Sequence, residues 1–327
     1  MTVLLTGGSG FLGSHVAELL AREAVECRAL VRATSDTRFL ATLPNVTLVQ
    51  GDLGDPESLR PALRGVGAVI HAAGLVKARR AVDFHRTNVV GTENLIRAIA
   101  TEAPHLRRFV MVSSLAAAGP SRDGTPISRG SIAPVTYYGR SKAAAEVVAQ
   151  GASDWLPVTI LRPSAIYGPR DREILAFFRA VKWRVLPLTS PLDARLSMVY
   201  AADCASACIA ALDADVDSGS IWYVEDGDTK TFVELISCIE TVLGRRVRLR
   251  APIPGPILWG AALASEVFGA IARRPVMLTR DKLNELRASH WVCSAAATRS
   301  AMGWRPSVDF AEGAARTADW YRDAGWL

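Results

Sequence analysis

The stretch VLLTGGSGFLG, residues 3–13, joins a short apolar run to the start of an amphipathic segment. Its glycines are spaced three residues apart: Gly7, Gly10 and Gly13. Glycines at such a junction permit a tight turn, close approach of a phosphate to the backbone, and close packing of the following helix on a sheet. The unpaired amide groups of a helix N-terminus attract phosphate. The stretch therefore predicts a dinucleotide pyrophosphate on this turn, against a helix that begins with Phe11 and Leu12.

Apolar runs and amphipathic segments alternate along the first half of the chain. Six runs are predicted to be buried strands, at residues 3–6, 27–31, 46–50, 68–73, 109–114 and 158–163. Near-continuous apolar strands separated by helices indicate a parallel sheet that is covered on both faces. With right-handed crossovers, this pattern predicts an α/β fold with a doubly wound, Rossmann-type sheet.

The alternation weakens after about residue 165, where proline becomes more frequent. We predict a dinucleotide-binding domain over residues 1–165 and a smaller, mixed substrate-binding lobe over residues 166–327. The segment 196–212 has the pattern of a strand and a helix, and we expect it to pack back on the first domain.

The composition is that of an ordinary globular protein: 327 residues, of which 50% are hydrophobic and 21% charged. The net charge is +6, but the basic residues are scattered and no nucleic-acid motif is present, so we expect no nucleic-acid partner. The five cysteines have neither disulfide-framework nor zinc spacing. We therefore expect no metal site, free thiols and a reducing, cytoplasmic location.

The most apolar segment is IPGPILWGAALASEVFGAIA, residues 253–272, with Glu266 as its only charge. Prolines interrupt its start, and the remainder is shorter than the roughly 20 apolar residues that a spanning helix needs. We predict a buried or interfacial helix that forms an apolar part of the substrate entrance. Contact with a membrane surface stays open.

Catalytic chemistry is indicated by YGRSK, residues 138–142. Tyr138 and Lys142 are four residues apart and share one face of a helix. A nearby ammonium favours the phenolate, so the pair can exchange a proton between a carbonyl and an alcohol. The serines of the run FVMVSS stand at the carboxyl end of a predicted parallel strand, where active sites form.

The end of the second predicted strand carries Arg32, where NAD-binding domains have an acidic residue for the ribose. A guanidinium can bind a 2′-phosphate with two parallel hydrogen bonds. This residue predicts a preference for NADP over NAD.

The whole pattern resembles the extended short-chain dehydrogenase/reductases, also called the NAD-dependent epimerase/dehydratase family. The matching pieces are TGGSGFLG (6–13), GDL (51–53), HAAG (71–74), NVVGT (88–92), VSSLAAAG (112–119), YGRSK (138–142) and LRPSAIYGP (161–169). The resemblance implies that Tyr138 is the general acid/base, that Lys142 holds the nicotinamide ribose, and that Ser114 orients the reacting oxygen. It also implies eight further cofactor contacts: Asp52 and Leu53 at the adenine, Ala72, Ala73 and Gly74 along the trough, and Pro163, Ser164 and Ile166 at the nicotinamide.

Three functions remain open at this point. The resemblance to the 3β-hydroxysteroid dehydrogenase and dihydroflavonol reductase branches, carried by CRALVR at residues 27–32, implies an NAD(P)-dependent oxidoreductase that interconverts a ketone and a secondary alcohol on a lipophilic small molecule. The alternative is a nucleotide-sugar 4-epimerase, and a non-catalytic NAD(P)-binding regulator is the third. Small apolar residues at 143–149 also predict a homodimer that pairs through the helix of Tyr138.

Overall fold

The computed structural model describes residues 1–127, 132–188, 191–276 and 278–327. The strands are β1 (Val3–Thr6), β2 (Cys27–Val31), β3 (Val46–Gln50), β4 (Ala68–His71), β5 (Arg108–Val112), β6 (Val158–Pro163), β7 (Ala165–Tyr167), β8 (Val185–Leu188), β9 (Arg195–Tyr200), β10 (Ser220–Val224), β11 (Thr229–Thr231), β12 (Leu249–Pro252) and β13 (His290–Trp291). The helices are α1 (Phe11–Arg22), α2 (Pro56–Leu63), α3 (Ala81–Phe84), α4 (Gly91–Glu102), α5 (Leu115–Ala118), α6 (Tyr137–Gln150), α7 (Leu175–Trp183), α8 (Ala201–Asp213), α9 (Phe232–Leu243), α10 (Gly255–Ile271), α11 (Arg280–Arg287), α12 (Ala296–Met302) and α13 (Phe310–Asp323). A π-helical segment, His85–Val90, joins α3 to α4.

The main sheet has seven parallel strands in the order β10-β6-β5-β4-β1-β2-β3. The strand order reverses between β1 and β4, which opens a crevice at the carboxyl ends of these two strands. The predicted α/β doubly wound fold is confirmed. Two predicted strands end earlier than expected, because residues 72–73 and 113–114 lie in loops beyond β4 and β5.

Alternation along the strands explains the core, which lies on both faces of the main sheet. Val3 and Leu5 of β1 face one hydrophobic cluster with α1 and α8, and Leu4 faces a second cluster with α2, α4 and α6. Neighbouring side chains of a strand point to opposite faces, so both faces are apolar and buried.

The second half of the chain contributes to both layers. Helix α8 packs on α1, and β10 extends the main sheet beside β6, although both follow residue 165. Strand β9, which begins the segment 196–212, instead pairs with β7, β11 and β13 in a second sheet. The boundary at residue 165 stays a prediction, and residues 201–224 cross it.

The remaining elements form a lobe over the carboxyl edge of the main sheet. Helices α7, α9 and α13 share an apolar cluster, while α10 and α11 pack on each other in a smaller cluster of their own. None of the helices in the described residues is long and apolar enough to cross a bilayer.

Candidate functional site

The glycine turn is built so tightly that two of its three glycines have no room for a side chain. Gly7 has a left-handed φ of +75°, and a Cβ there would lie 2.6 Å from the backbone nitrogen of Ala73. A Cβ on Gly13 would lie 2.0 Å from the Gly7 carbonyl oxygen. At Gly10 the same oxygen, at 3.1 Å, is the one atom within 4 Å among the described residues. Gly10 therefore faces open space in front of α1.

Helix α1 presents its N-terminus at this opening. Gly10 is its N-cap, and no side chain accepts a hydrogen bond from the amide groups of the first turn in the described structure. Phe11 and Leu12 are half-buried at the rim. A free helix N-terminus behind a side-chain-free turn fits a dinucleotide pyrophosphate.

The predicted cofactor residues near the adenine lie just beyond the carboxyl ends of main-sheet strands. Arg32 follows β2 with its side chain exposed, and its amide nitrogen donates to the Ser35 hydroxyl (3.1 Å). Asp52 and Leu53 follow β3; the Asp52 carboxylate accepts from the Gly54 amide (2.8 Å), and the Leu53 side chain is buried.

The middle of the edge carries the other predicted contacts. Ala72, Ala73 and Gly74 follow β4, and Pro163, Ser164 and Ile166 lie at the end of β6 and in β7. The Ser164 hydroxyl is buried and has no hydrogen-bond partner among the described residues.

A buried hydrogen-bond chain ties β1 to β4 below the crevice. The Thr6 hydroxyl lies 2.7 Å from His71 Nδ1 and accepts from the Ala73 amide at 3.2 Å, and His71 Nε2 lies 3.0 Å from the Thr92 hydroxyl. Burial, together with the charge of Lys142, lowers the pKa of His71 to about 3, so the ring is neutral. His71 is thus a structural residue of the crevice floor.

Tyr138 and Ser114 meet at the end of β5. Tyr138 is in the first turn of α6, which Thr136 caps, and Ser114 is the N-cap of α5. The Ser114 side chain is close enough to the Tyr138 hydroxyl to influence its pKa, and Ser114 Oγ accepts from the Ala116 amide at 3.1 Å. A Cβ on Gly139 would lie 2.3 Å from the Ala116 carbonyl oxygen, so the glycine after Tyr138 allows α5 and α6 to approach this closely.

The ionisation of Tyr138 differs from the expectation. Burial raises the pKa of Tyr138 to about 12; the neighbouring Ser114 side chain acts against this, and the charges of Glu285 and Glu173 add to it. We expected Lys142 to lower this pKa, but the Lys142 ammonium is directed elsewhere. Desolvation therefore dominates, and the phenol is protonated at neutral pH.

Lys142 lies on the floor of the crevice. Its Nζ donates to the Val112 carbonyl oxygen (2.6 Å) and would lie 3.7 Å from a Cβ on Gly74. Burial lowers the pKa of Lys142 to about 8, while Glu146 acts in the opposite direction. Lys142 thus points a cation towards the trough beyond β4.

A buried ion pair, not anticipated from the sequence, stands behind these residues. Arg162 of β6 donates to both carboxylate oxygens of Glu146 (2.9 and 2.7 Å), and both side chains are at most 2% exposed. The Ser113 hydroxyl also donates to Glu146. The structure therefore places Ser113 in this network and Ser114 beside Tyr138.

The lobe reaches the site through α11 and the segment after β7. Asp281 accepts a hydrogen bond from the Tyr137 amide (2.9 Å), and Lys77 pairs with Glu173 (2.9 Å). Arg170 bonds to Ser14 and Glu18 of α1 at 3.0 and 2.7 Å. Sequence reasoning missed these contacts because their partners are about 100 to 160 residues apart and share no local pattern.

Comparison with known proteins agrees with this geometry. A family model described as "NAD dependent epimerase/dehydratase family" matches residues 3–224. The chain is 34% identical to a ceramide reductase of Caulobacter vibrioides over 99% of this chain and 96% of that protein. It is 28% identical to a 2-alkyl-3-oxoalkanoate reductase of Stenotrophomonas maltophilia, over 97% and 98% of the two chains.

Among solved structures, DesIV of Streptomyces venezuelae, a dTDP-glucose 4,6-dehydratase with NAD and TYD bound, superposes with a TM-score of 0.82. The identity is 26%, and the match covers 100% of this chain and 99% of that one. These findings confirm the resemblance to the extended short-chain dehydrogenase/reductases and the predicted NAD(P)-dependent oxidoreductase activity. The chain belongs to the NAD-dependent epimerase/dehydratase family.

Proposed function

We propose that the protein interconverts a ketone and a secondary alcohol on a lipophilic small molecule, with NADP as the preferred cofactor. The observation that carries this is the Ser114 side chain beyond the end of β5, close to the Tyr138 hydroxyl, with Lys142 one turn further along α6. The names of two relatives, a ceramide reductase and a 2-alkyl-3-oxoalkanoate reductase, support a lipophilic carbonyl substrate.

The residues divide the work of reduction between them. The nicotinamide, when bound, supplies the hydride to the carbonyl carbon. The Tyr138 phenol, protonated at neutral pH, donates its proton to the carbonyl oxygen, and the nearby Ser114 hydroxyl orients the reacting oxygen. Lys142 holds the nicotinamide ribose, and the amides of the α1 N-terminus hold the pyrophosphate. In oxidation, Tyr138 accepts the proton of the alcohol.

The NADP preference rests on Arg32. Its guanidinium is exposed beside the glycine turn, since β2 and β1 are neighbours in the main sheet. The nearby carboxylate of Asp36 is already paired with Arg38 at 2.6 Å, which leaves Arg32 as the group for a 2′-phosphate.

A nucleotide-sugar 4-epimerase is the second candidate; the likeness to DesIV, a dTDP-glucose 4,6-dehydratase, supports the nucleotide-sugar substrate and not the epimerisation itself. A single screen separates the two. Long-chain and polycyclic ketones should consume NADPH with formation of one alcohol per cofactor, whereas UDP-sugars should not change. Interconversion of a UDP-sugar without net cofactor turnover would contradict the proposal.

We further propose a homodimer in the cytoplasm. Val147 of α6 is 63% exposed, and the five cysteines are free thiols, as in a reducing compartment. Val147→Glu should shift the mass in light scattering from dimer to monomer at micromolar concentration. The control Val82→Glu, at a residue that is 58% exposed, should leave the mass unchanged. A monomeric wild-type protein would contradict the homodimer.

A further inference from the structure

Helix α10 carries an apolar stripe that no described element covers. Its residues are spaced by four and three along the helix and so share one face: Ile257, Ala261, Ala264, Phe268 and Ile271. Ile257, Phe268 and Ile271 are 62%, 67% and 78% exposed. The buried residues Leu258, Ala262 and Gly269 lie on a different face, about a third of a turn around the helix, so the apolar stripe itself is directed outward. At 1.5 Å per residue the stripe is about 21 Å long.

Arginines surround the C-terminal end of this stripe. Arg273 and Arg274 follow α10 directly and are exposed. Arg274 also lines a cavity of about 150 Å³ between α10 and the loop after β4, together with Arg79 and Arg80. Arg80 pairs with Asp83, whereas Arg79, Arg273 and Arg274 have no ion pair within the described part of the chain.

We infer that α10 is a membrane-docking helix that lies in the surface of an anionic bilayer. Its apolar stripe enters the boundary between headgroups and acyl chains, and the arginines at its end bind lipid phosphates. An apolar helix face with basic residues at its edge has the character of an interfacial helix, and at 17 residues α10 is too short to span.

Charge favours a lipid surface over a second copy of this chain as the occupant. The one acidic residue of α10, Glu266, is already engaged by Arg280, whose backbone and side-chain nitrogens lie 2.7 and 2.9 Å from it. Two stripes packed on each other would leave the arginines without acidic partners. An anionic bilayer provides phosphates for every one of them.

The same ion pair connects α10 to the site. Glu266 fixes α10 to Arg280, at the start of α11, and the next residue, Asp281, binds the Tyr137 amide beside Tyr138. Docking through α10 would place α11 and the site entrance at the bilayer surface. Vesicle binding itself needs neither substrate nor hydride transfer, so its test is independent of the proposed function.

The test is flotation of the full chain with vesicles of phosphatidylcholine alone or mixed with phosphatidylglycerol. Wild-type protein should float with the anionic vesicles and lose binding at high salt. The double variant Phe268→Glu/Ile271→Glu should reduce partitioning at least about tenfold. Its control, Leu48→Glu/Trp155→Glu, changes two residues that are 37% and 45% exposed elsewhere and should bind as wild type does.

The charge contribution is tested separately with Arg273→Ala/Arg274→Ala, which should lose about tenfold on anionic vesicles. The control Arg22→Ala/Arg64→Ala removes the same charge at the amino edge of the main sheet and should bind like wild type.

Three results would overturn the inference. The first is no flotation of wild-type protein. The second is equal binding to neutral and anionic vesicles. The third is a stripe variant that loses self-association in light scattering and keeps its vesicle binding, which would assign the stripe to a second copy of the chain.

Discussion

The carboxyl edge of the main sheet and helix α10 differ in how closely their residues are packed. At the edge, the backbone of the glycine turn is closely packed: a Cβ on Gly13 would overlap the Gly7 carbonyl oxygen at 2.0 Å. On α10, a Cβ added at Gly255 or Gly260 would meet no neighbouring element within 4 Å among the described residues, and large apolar side chains are exposed to solvent. At the sheet edge, close backbone contacts leave no room for side chains. On α10, large apolar side chains are exposed to solvent.

We expect this difference in packing to correspond to a difference in role: the sheet edge carries the reaction, and the lobe contributes to recognition of lipophilic partners. Hydride and proton transfer need fixed geometry, so the residues that carry them are held in place: Ser114 just beyond β5, and Tyr138 and Lys142 on α6. Recognition of a lipophilic partner needs exposed apolar area, which tolerates substitution. Variants at the edge should therefore have large effects on turnover or cofactor affinity, and variants of the lobe smaller ones.

The largest effect is expected at Tyr138. Tyr138→Phe keeps the ring and removes the proton donor, so kcat should fall by about 10²–10⁴ while cofactor affinity is unchanged. Initial rates on the reduced ketone, with cofactor titration, measure both quantities. Tyr137→Phe is the matched control, because that ring is 48% exposed and points away beneath Arg140. Near wild-type kcat in Tyr138→Phe would remove the residue from catalysis.

The next effect distinguishes two glycines of the turn. Gly10→Val places a side chain in the open space before α1, so we expect the cofactor Kd to rise about 10²-fold, through loss of hydrogen bonds to a charged group. The protein should stay folded, since the one close contact of the added Cβ among the described residues, 3.1 Å to the Gly7 carbonyl oxygen, needs only a small shift of the turn. Gly13→Ala should instead lower the melting temperature. An unchanged cofactor Kd in a folded Gly10→Val protein would mean that the pyrophosphate lies elsewhere.

Sequence alone could predict the edge because its signals are local. The glycine spacing, the apolar strands and the four-residue step from Tyr138 to Lys142 each lie within one short segment. All six predicted strands form, although those at 68–73 and 109–114 end two residues early. Contacts between segments that are distant in the sequence could not be predicted, because no local pattern indicates them. The pair of Glu146 and Arg162 and the bond from Tyr137 to Asp281 depend on tertiary packing.

The sequence analysis underestimated the effect of burial on the pKa of Tyr138. A neighbouring ammonium and a tyrosine four residues apart indicate a lowered tyrosine pKa only if the cation faces the phenol. In the folded chain Lys142 Nζ bonds to Val112 instead, and desolvation raises the pKa of Tyr138 to about 12. Side-chain direction inside a packed helix pair is not readable from spacing.

A smaller effect is expected at the rim of the edge. Arg32→Ala should weaken NADPH binding about five- to tenfold and leave NADH binding unchanged, because the exposed guanidinium is partly screened by solvent. Paired fluorescence titrations measure the two affinities. Arg38→Ala, in the same loop but paired with Asp36, should change neither affinity. Equal or tighter NADH binding by the wild-type protein would show that Arg32 does not select the cofactor.

Asp226, in the turn between β10 and β11, is an exception to the exposed character of the lobe. One of its carboxylate oxygens is buried with no hydrogen-bond partner among the described residues. Burial raises the pKa of Asp226 to about 7, with Glu225 and Asp228 adding to the shift while the Asp228 amide and Lys230 oppose it. An unfolded aspartate titrates near pH 3.9, so the folded state holds this proton more tightly.

The smallest effect is expected from the protonation of Asp226. Because the folded pKa lies above the unfolded one, the stability from Asp226 is present below about pH 4 and is lost as the pH rises to about 7. Asp226→Asn removes the titration and retains an oxygen for the Asp228 amide, which lies 3.0 Å from the carboxylate. The variant should match wild type near pH 4 and be more stable by about 1 kcal/mol at pH 8. Urea unfolding at several pH values measures this difference, with exposed Asp154→Asn as the control that should show none. If the difference in unfolding free energy between Asp226→Asn and wild type is constant from pH 4 to 8, Asp226 is ionised in the folded protein. Its carboxylate would then be in contact with water, unlike the closely packed groups of the sheet edge.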